Sequence, residues 1–120
     1  MRKRELGDYI QDILEAIVEV EDFTKGMKFE DFLGDKKTVN AVVRSLEIIG
    51  EATKKIPNSM REKYSEIPWK WMTGMRDKLI HEYFGIDLEI VWEVINNELP
   101  PIKPLIREIL ENIEGETKDY

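Results

Sequence analysis

The sequence predicts an all-α domain, four to five helices joined by short loops into an up-and-down bundle. Apolar residues recur at three- and four-residue steps through most of the chain, and no stretch alternates long enough to make a strand. The 120 residues amount to about one ordinary domain. With 42% hydrophobic and 36% charged residues, the chain can build one core without cross-links and has neither a disordered nor a collagen-like composition.

The first helix is expected over about residues 5–22. Leu6, Ile10, Ile13, Leu14 and Ile17 form its apolar stripe, with Gln11, Asp12, Glu15 and Glu19 between them. A loop around Thr24-Lys25-Gly26 leads to a short turn, Phe29 to Leu33, that closes one end of the core. Asp35 is placed to cap a second helix whose buried stripe is Val39, Val42, Val43, Leu46, Ile49, Thr53 and Ile56. It stops before Pro57, because a residue preceding proline avoids the α region.

Asn58 or Ser59 caps a brief turn through Tyr64. Ser65 is expected to start a third long helix with Pro68 in its first turn, where a missing N–H costs nothing, and Gly85 as its stop. Trp71, Met72, Met75, Leu79 and Ile80 form its apolar side. Asp87 caps a fourth helix carrying Leu88, Val91, Trp92, Ile95 and Leu99, which Pro100-Pro101 must break or kink. A last helix carries Ile102, Leu105, Ile106, Ile109, Leu110 and Ile113. The expected domain covers residues 1–114, followed by a polar tail over 115–120. Trp69, Trp71 and Trp92 could stack on bases, but at helical spacing tryptophan is more often a packing anchor.

Composition removes several chemistries. Without cysteine there are no disulfides, thiolate metal sites or cysteine nucleophiles, and a single histidine is too few for a multi-histidine zinc site. No cofactor is implied. No apolar run approaches the ~20 residues of a membrane helix. The opening Met1-Arg2-Lys3-Arg4-Glu5 runs into an acid-broken amphipathic stretch, unlike a signal peptide, so a cytoplasmic protein is expected. The net charge of −7 conceals an asymmetry: Lys54 to His81 holds seven basic and three acidic residues, a local balance of +4 that leaves −11 for the rest. Such a segment can bind a polyanion locally, or it can be a solvated, salt-bridged face.

The distinctive stretch is Arg76-Asp77-Lys78-Leu79-Ile80-His81-Glu82-Tyr83, inside that basic segment. Histidine is the side chain best matched to proton transfer near neutral pH, and arginine holds a phosphate through two parallel hydrogen bonds. Together they are the minimum kit for metal-independent RNA cleavage, since the nucleophile is the substrate's own 2′-hydroxyl. A lone histidine near a helix end is otherwise more often a dipole or hydrogen-bond partner. On one straight helix, Arg76 and His81 would lie ~140° apart and Arg76 and Tyr83 only ~20°. Either the helix loosens near Gly85, or a second subunit completes the site; a two-fold axis beside this helix is the expectation preferred here.

The Arg76, His81 and Tyr83 spacing, R-x-x-x-x-H-x-Y, resembles the signature of HepT-like toxins of the HEPN ribonuclease superfamily. Tyr9 to Leu33, Ala41 to Pro57 and Ile67 through Ile86 resemble the same family in order, so the likeness runs over roughly residues 5–113. The resemblance implies a HEPN-like helical homodimer that cleaves tRNA or mRNA as the toxin of a toxin–antitoxin pair. It also implies a minimal nucleotidyltransferase antitoxin that silences the toxin by transferring AMP to the motif tyrosine. By position, Arg76 and His81 become catalytic residues, Tyr83 the AMP acceptor, and Asp77 a supporting residue that orients one of the pair. Arg44, Glu47 and Glu51 match the family's second-helix pattern, as an internal salt bridge or a substrate contact. The competing reading is a catalytically inactive helical dimer that only docks the nucleotidyltransferase.

Overall fold

Three long amphipathic helices supply most of the core. The computed structural model describes residues 5–81 and 85–118, with 78, 80, 81 and 116–118 by backbone alone. Helix α1 (Leu6–Thr24) begins where the Asp8 carboxylate accepts from the Glu5 backbone N–H at 3.0 Å. It buries Ile10, Ile13, Ile17 and Val20, the stripe its spacing dictates. After Gly26, whose φ of +77° turns the chain in the left-handed region, the short α2 (Phe29–Leu33) inserts Phe32 completely into the core.

Helix α3 (Lys36–Thr53) is capped by Asp35, which accepts from Thr38 N at 3.1 Å and from the Thr38 hydroxyl at 2.7 Å. These bonds to Thr38 favour the ionised carboxylate and hold the Asp35 pKa below its ordinary value of 3.8. The helix ends at Thr53, three residues short of Ile56. Residues 54–56 tighten into turns, with Lys55 N donating to Ala52 O and Ile56 N to Thr53 O at 3.0 Å each, before Pro57 ends the run. Helix α8 (Ile102–Lys118) closes the bundle with Ile102, Ile106 and Ile109 buried against α1. It runs on through Gly115 to Lys118, past the expected start of the polar tail. Lys103 Nζ meets Glu21 Oε1 at 2.7 Å and ties α8 to α1.

The other half of the molecule is built from short pieces. Helix α4 (Asn58–Lys63) follows Pro57, which occupies the capping position in place of Asn58 or Ser59. The expected third long helix is not continuous. It begins at Trp69 rather than Ser65 and divides at Gly74 into α5 (Trp69–Thr73) and α6 (Met75–Leu79). The chain then enters β1 (Ile80–His81), which pairs antiparallel with β2 (Gly85–Ile86). Gly85, expected as a helix stop, has φ +81° and sits at the return of this hairpin. Asp87 N donates to Leu79 O at 3.1 Å across its base.

Asp87 does cap α7 (Leu88–Glu93), accepting from Glu89 N and Ile90 N at 3.1 and 3.2 Å. Helix α7 widens into a π-helical turn, Val94–Glu98, closed by Leu99 N donating to Val94 O at 2.9 Å. Pro100 and Pro101, without N–H groups, end it as expected. The fold is all-α, as expected, with one hairpin of two-residue strands among the described residues. Within those residues no helix is long and apolar enough to cross a membrane.

Candidate functional site

The arginine of the motif is presented by a helix whose other face is fixed. On α6, Met75 and Leu79 are one turn apart and buried, which turns the intervening Arg76 and Asp77 outward, where both are exposed. Gly50 of α3 sets how close this stretch lies to the core. A Cβ at Gly50 would sit 3.4 Å from the Met72 carbonyl oxygen and 4.0 Å from Met75 Cβ, so the α5–α6 junction packs directly on the α3 backbone.

His81 does not lie on the helix with Arg76. Helix α6 ends at Leu79, and the His81 backbone is in β1, opposite Gly85. The ~140° separation expected of a straight helix therefore does not apply. Of the two alternatives, the one not preferred is seen: the helix gives way at Leu79, six residues before Gly85, because the chain must reverse between the buried Leu79 and the Asp87 cap. Asp77 is on α6 beside Arg76, and Tyr83 lies outside the described residues.

One cation of the basic segment has a structural role. Arg61 is half-buried and its guanidinium donates from Nε to Ile56 O at 3.0 Å and from a terminal nitrogen to Thr53 O at 2.8 Å. It satisfies the carbonyls of Thr53, the last residue of α3, and of Ile56 in the turn that follows, a structural role the charge count alone could not reveal. Lys54, Lys55, Lys63 and Lys70 are exposed with Arg76. Lys63 Nζ stands 5.6 Å from the Tyr64 ring centroid.

Arg44 and Glu51 form an ion pair at 3.6 Å on the exposed face of α3. The pair borders a groove of about 320 Å³ between α1 and α3, whose walls include Asp12, Glu15 and Glu19. Of the two roles left open for these residues, the ion pair is present, and it is a surface one. Glu47 is half-buried.

Two tryptophans are packing anchors. Trp69 is buried and donates its indole N–H to Tyr64 O at 3.0 Å. Trp92 packs on Phe32 and Phe29 at centroid distances of 5.1 and 5.9 Å. Trp71 is different: half-buried, it lines a cavity of about 430 Å³ between the start of α5 and the α7–α8 junction. Asn97 and Glu98, which sequence reasoning passed over, line the same cavity from the π-helical turn. The available signal was the double proline behind them, which denies the helix its normal closing N–H groups.

The fold and the presented arginine define a class: a HEPN-like helical bundle with an exposed arginine on the helix that runs into the hairpin carrying the chain's only histidine. The chain belongs to the ribonuclease HepT-like family, whose model matches residues 13–109. It is 54% identical over 101 residues to a protein of Thermococcus cleftensis named a probable ribonuclease HepT, covering 84% of this chain and 92% of that one. It is 48% identical over 119 residues to a Methanocaldococcus jannaschii protein provisionally named an RNase, covering 99% of this chain and 98% of the relative. A Caldanaerobacter subterraneus protein with the same kind of name is 50% identical over 103 residues, 86% of this chain and 92% of its own length. No solved structure matches.

Proposed function

We propose that the chain is a metal-independent endoribonuclease, the toxin of a toxin–antitoxin pair, with Arg76 and His81 as its catalytic residues. The observation that carries this reading is the exposed Arg76 on α6, followed directly by the hairpin strand bearing His81, in a chain of the ribonuclease HepT-like family. His81 takes the proton of a ribose 2′-hydroxyl as that oxygen attacks phosphorus, or delivers a proton to the departing 5′-oxygen as the P–O bond breaks. Arg76 stabilises the negative charge that builds on the phosphoryl oxygens between those events. Asp77 orients one of the two.

The active form in this proposal is a homodimer with its two-fold axis beside α6, which sets two copies of the pair in one cleft. A nucleotidyltransferase antitoxin silences it by placing AMP on Tyr83. The added phosphate and nucleoside compete with RNA for Arg76 both by charge and by bulk. The substrate is tRNA or mRNA.

The experiment compares purified wild-type protein with His81→Ala on total RNA in EDTA, alongside intact mass after expression with and without a cognate nucleotidyltransferase. The proposal predicts cleavage by the unmodified wild type alone and added AMP units that abolish it. Intact RNA in every lane, with no added mass, would instead indicate a helical dimer that only binds its partner.

A further inference from the structure

The Arg76 and His81 pair leaves most of the basic segment without a role, and packing sorts the remaining cations. Arg61 is occupied by backbone carbonyls, and Lys63 stands by the Tyr64 ring. Lys55 borders the groove that Asp12 and Glu51 line. Lys54, Lys70 and Arg76 are left, each exposed and none paired with a carboxylate among the described residues.

These three surround a single contact. At Gly50, α3 meets the α5–α6 junction, and a Cβ there would lie 3.4 Å from the Met72 carbonyl oxygen and 3.8 Å from that of Thr73. Lys54 N donates to Gly50 O at 3.2 Å, so Lys54 stands one turn beyond Gly50. Four residues rotate the helix by only ~40° beyond a full turn, which keeps Lys54 on the side of α3 that faces α5 and α6. Gly74 N donates to Lys70 O at 3.2 Å, which puts Lys70 one turn before the junction, and Arg76 follows Gly74 by two residues on α6. Chain and helix geometry hold the three Cα atoms within about 20 Å of one another.

The carboxylates on this side reach less far. Glu51 is tied to Arg44, Glu47 is half-buried, and Asp77 has the shorter side chain. With a balance of −11 outside the basic segment, a polyanion is drawn to this surface and repelled from the others. Lysine ammonium groups are flexible point charges, suited to a moving row of phosphates more than to one fixed, planar partner.

We propose that Lys54 and Lys70 hold backbone phosphates of the RNA on either side of the cut and so lead the scissile phosphate to Arg76. The inference rests on the ribonuclease reading above. Both lysines are binding residues: they contact phosphate without base preference and take no part in proton transfer.

The test measures fluorescence anisotropy of a labelled 2′-O-methyl RNA oligonucleotide, which has no 2′-hydroxyl to attack, with the full-length protein over a series of salt concentrations. Lys54→Gln and Lys70→Gln are each expected to weaken binding and to lower the slope of log K against log[salt] by about 0.7, one phosphate contact of a single strand. The double variant should lose about twice that slope. Lys36→Gln is the control: Lys36 is exposed on the same helix but about 21 Å from Gly50 by helical rise, and its slope should match wild type. Wild-type slopes for Lys54→Gln and Lys70→Gln, an equal loss in Lys36→Gln, or no binding by the wild type would overturn the proposal. Because the probe is not cleaved, a protein that binds it through these lysines but cuts no RNA keeps the phosphate track and loses the ribonuclease. One that cuts RNA equally well with and without them does the reverse.

Discussion

The α1–α3–α8 half and the α5-to-π-turn half of this molecule are built on opposite rules. In the first, long helices follow an unbroken three- and four-residue stripe, and the buried residues are those the stripe names: Ile13, Leu46, Ile106. In the second, no α-helix exceeds six residues, and each break has a local cause: Gly74, the left-handed Gly85, the Pro100-Pro101 pair. Arg76 and His81 lie in the broken half, and the Trp71 cavity opens where that half meets α8. Regular helices give this fold its stability, whereas interrupted ones turn polar side chains and backbone out of the pattern where chemistry can use them.

The sharpest way to break that comparison is in the core. Leu46→Ala should cost about 3 kcal/mol by chemical denaturation, since Leu46 is wholly buried among helices that cannot collapse around the gap. A loss below about 1 kcal/mol would mean the long-helix half does not carry the fold. Gly50→Val tests the seam between the halves. The added side chain meets the Met72 carbonyl, so about 2 kcal/mol of overpacking is expected, with α5 and α6 displaced. Hydrogen exchange should then rise in α5 and α6 before it rises in α1.

Arg61→Met should cost about 1.5 kcal/mol, the lower end for charged hydrogen bonds because water can reach the Thr53 and Ile56 carbonyls once the guanidinium is gone. The smallest effect belongs to Asp35→Ala. The folded Asp35 pKa is depressed by its bonds to Thr38, so its contribution is present above the unfolded value near 3.8 and disappears as pH falls through the lower folded value. The melting-temperature gap between wild type and Asp35→Ala should therefore be open at pH 7 and shrink below about pH 3.8. A gap that stays constant through that range would assign the cap's effect to something other than the ionised carboxylate.

How much could be read beforehand follows the same division. The long helices were legible because burial is periodic: Asp35 and Asp87 are caps, Phe29–Leu33 is a helical turn, and the double proline ends α7 and its π-turn. The split at Gly74 was not legible, since Met72, Met75 and Leu79 keep a helical spacing across it. Nor was the hairpin, because β1 and β2 contain two residues each, too few for any alternation to register. Arg61 reads as one more positive charge in a basic segment until the carbonyls of Thr53 and Ile56 are placed beside it. Asn97 and Glu98 line the Trp71 cavity from a wider turn that side-chain periodicity does not encode.

The central claim, that chemistry is separate from stability here, is tested most directly by Arg76→Ala assayed for both on one preparation. The exposed side chain predicts a change in unfolding free energy within about 0.5 kcal/mol. RNA cleavage in EDTA should nevertheless fall about 10²- to 10³-fold, the usual cost of removing one group that stabilises transition-state charge. Wild-type cleavage rates from a normally folded Arg76→Ala protein would contradict the assignment.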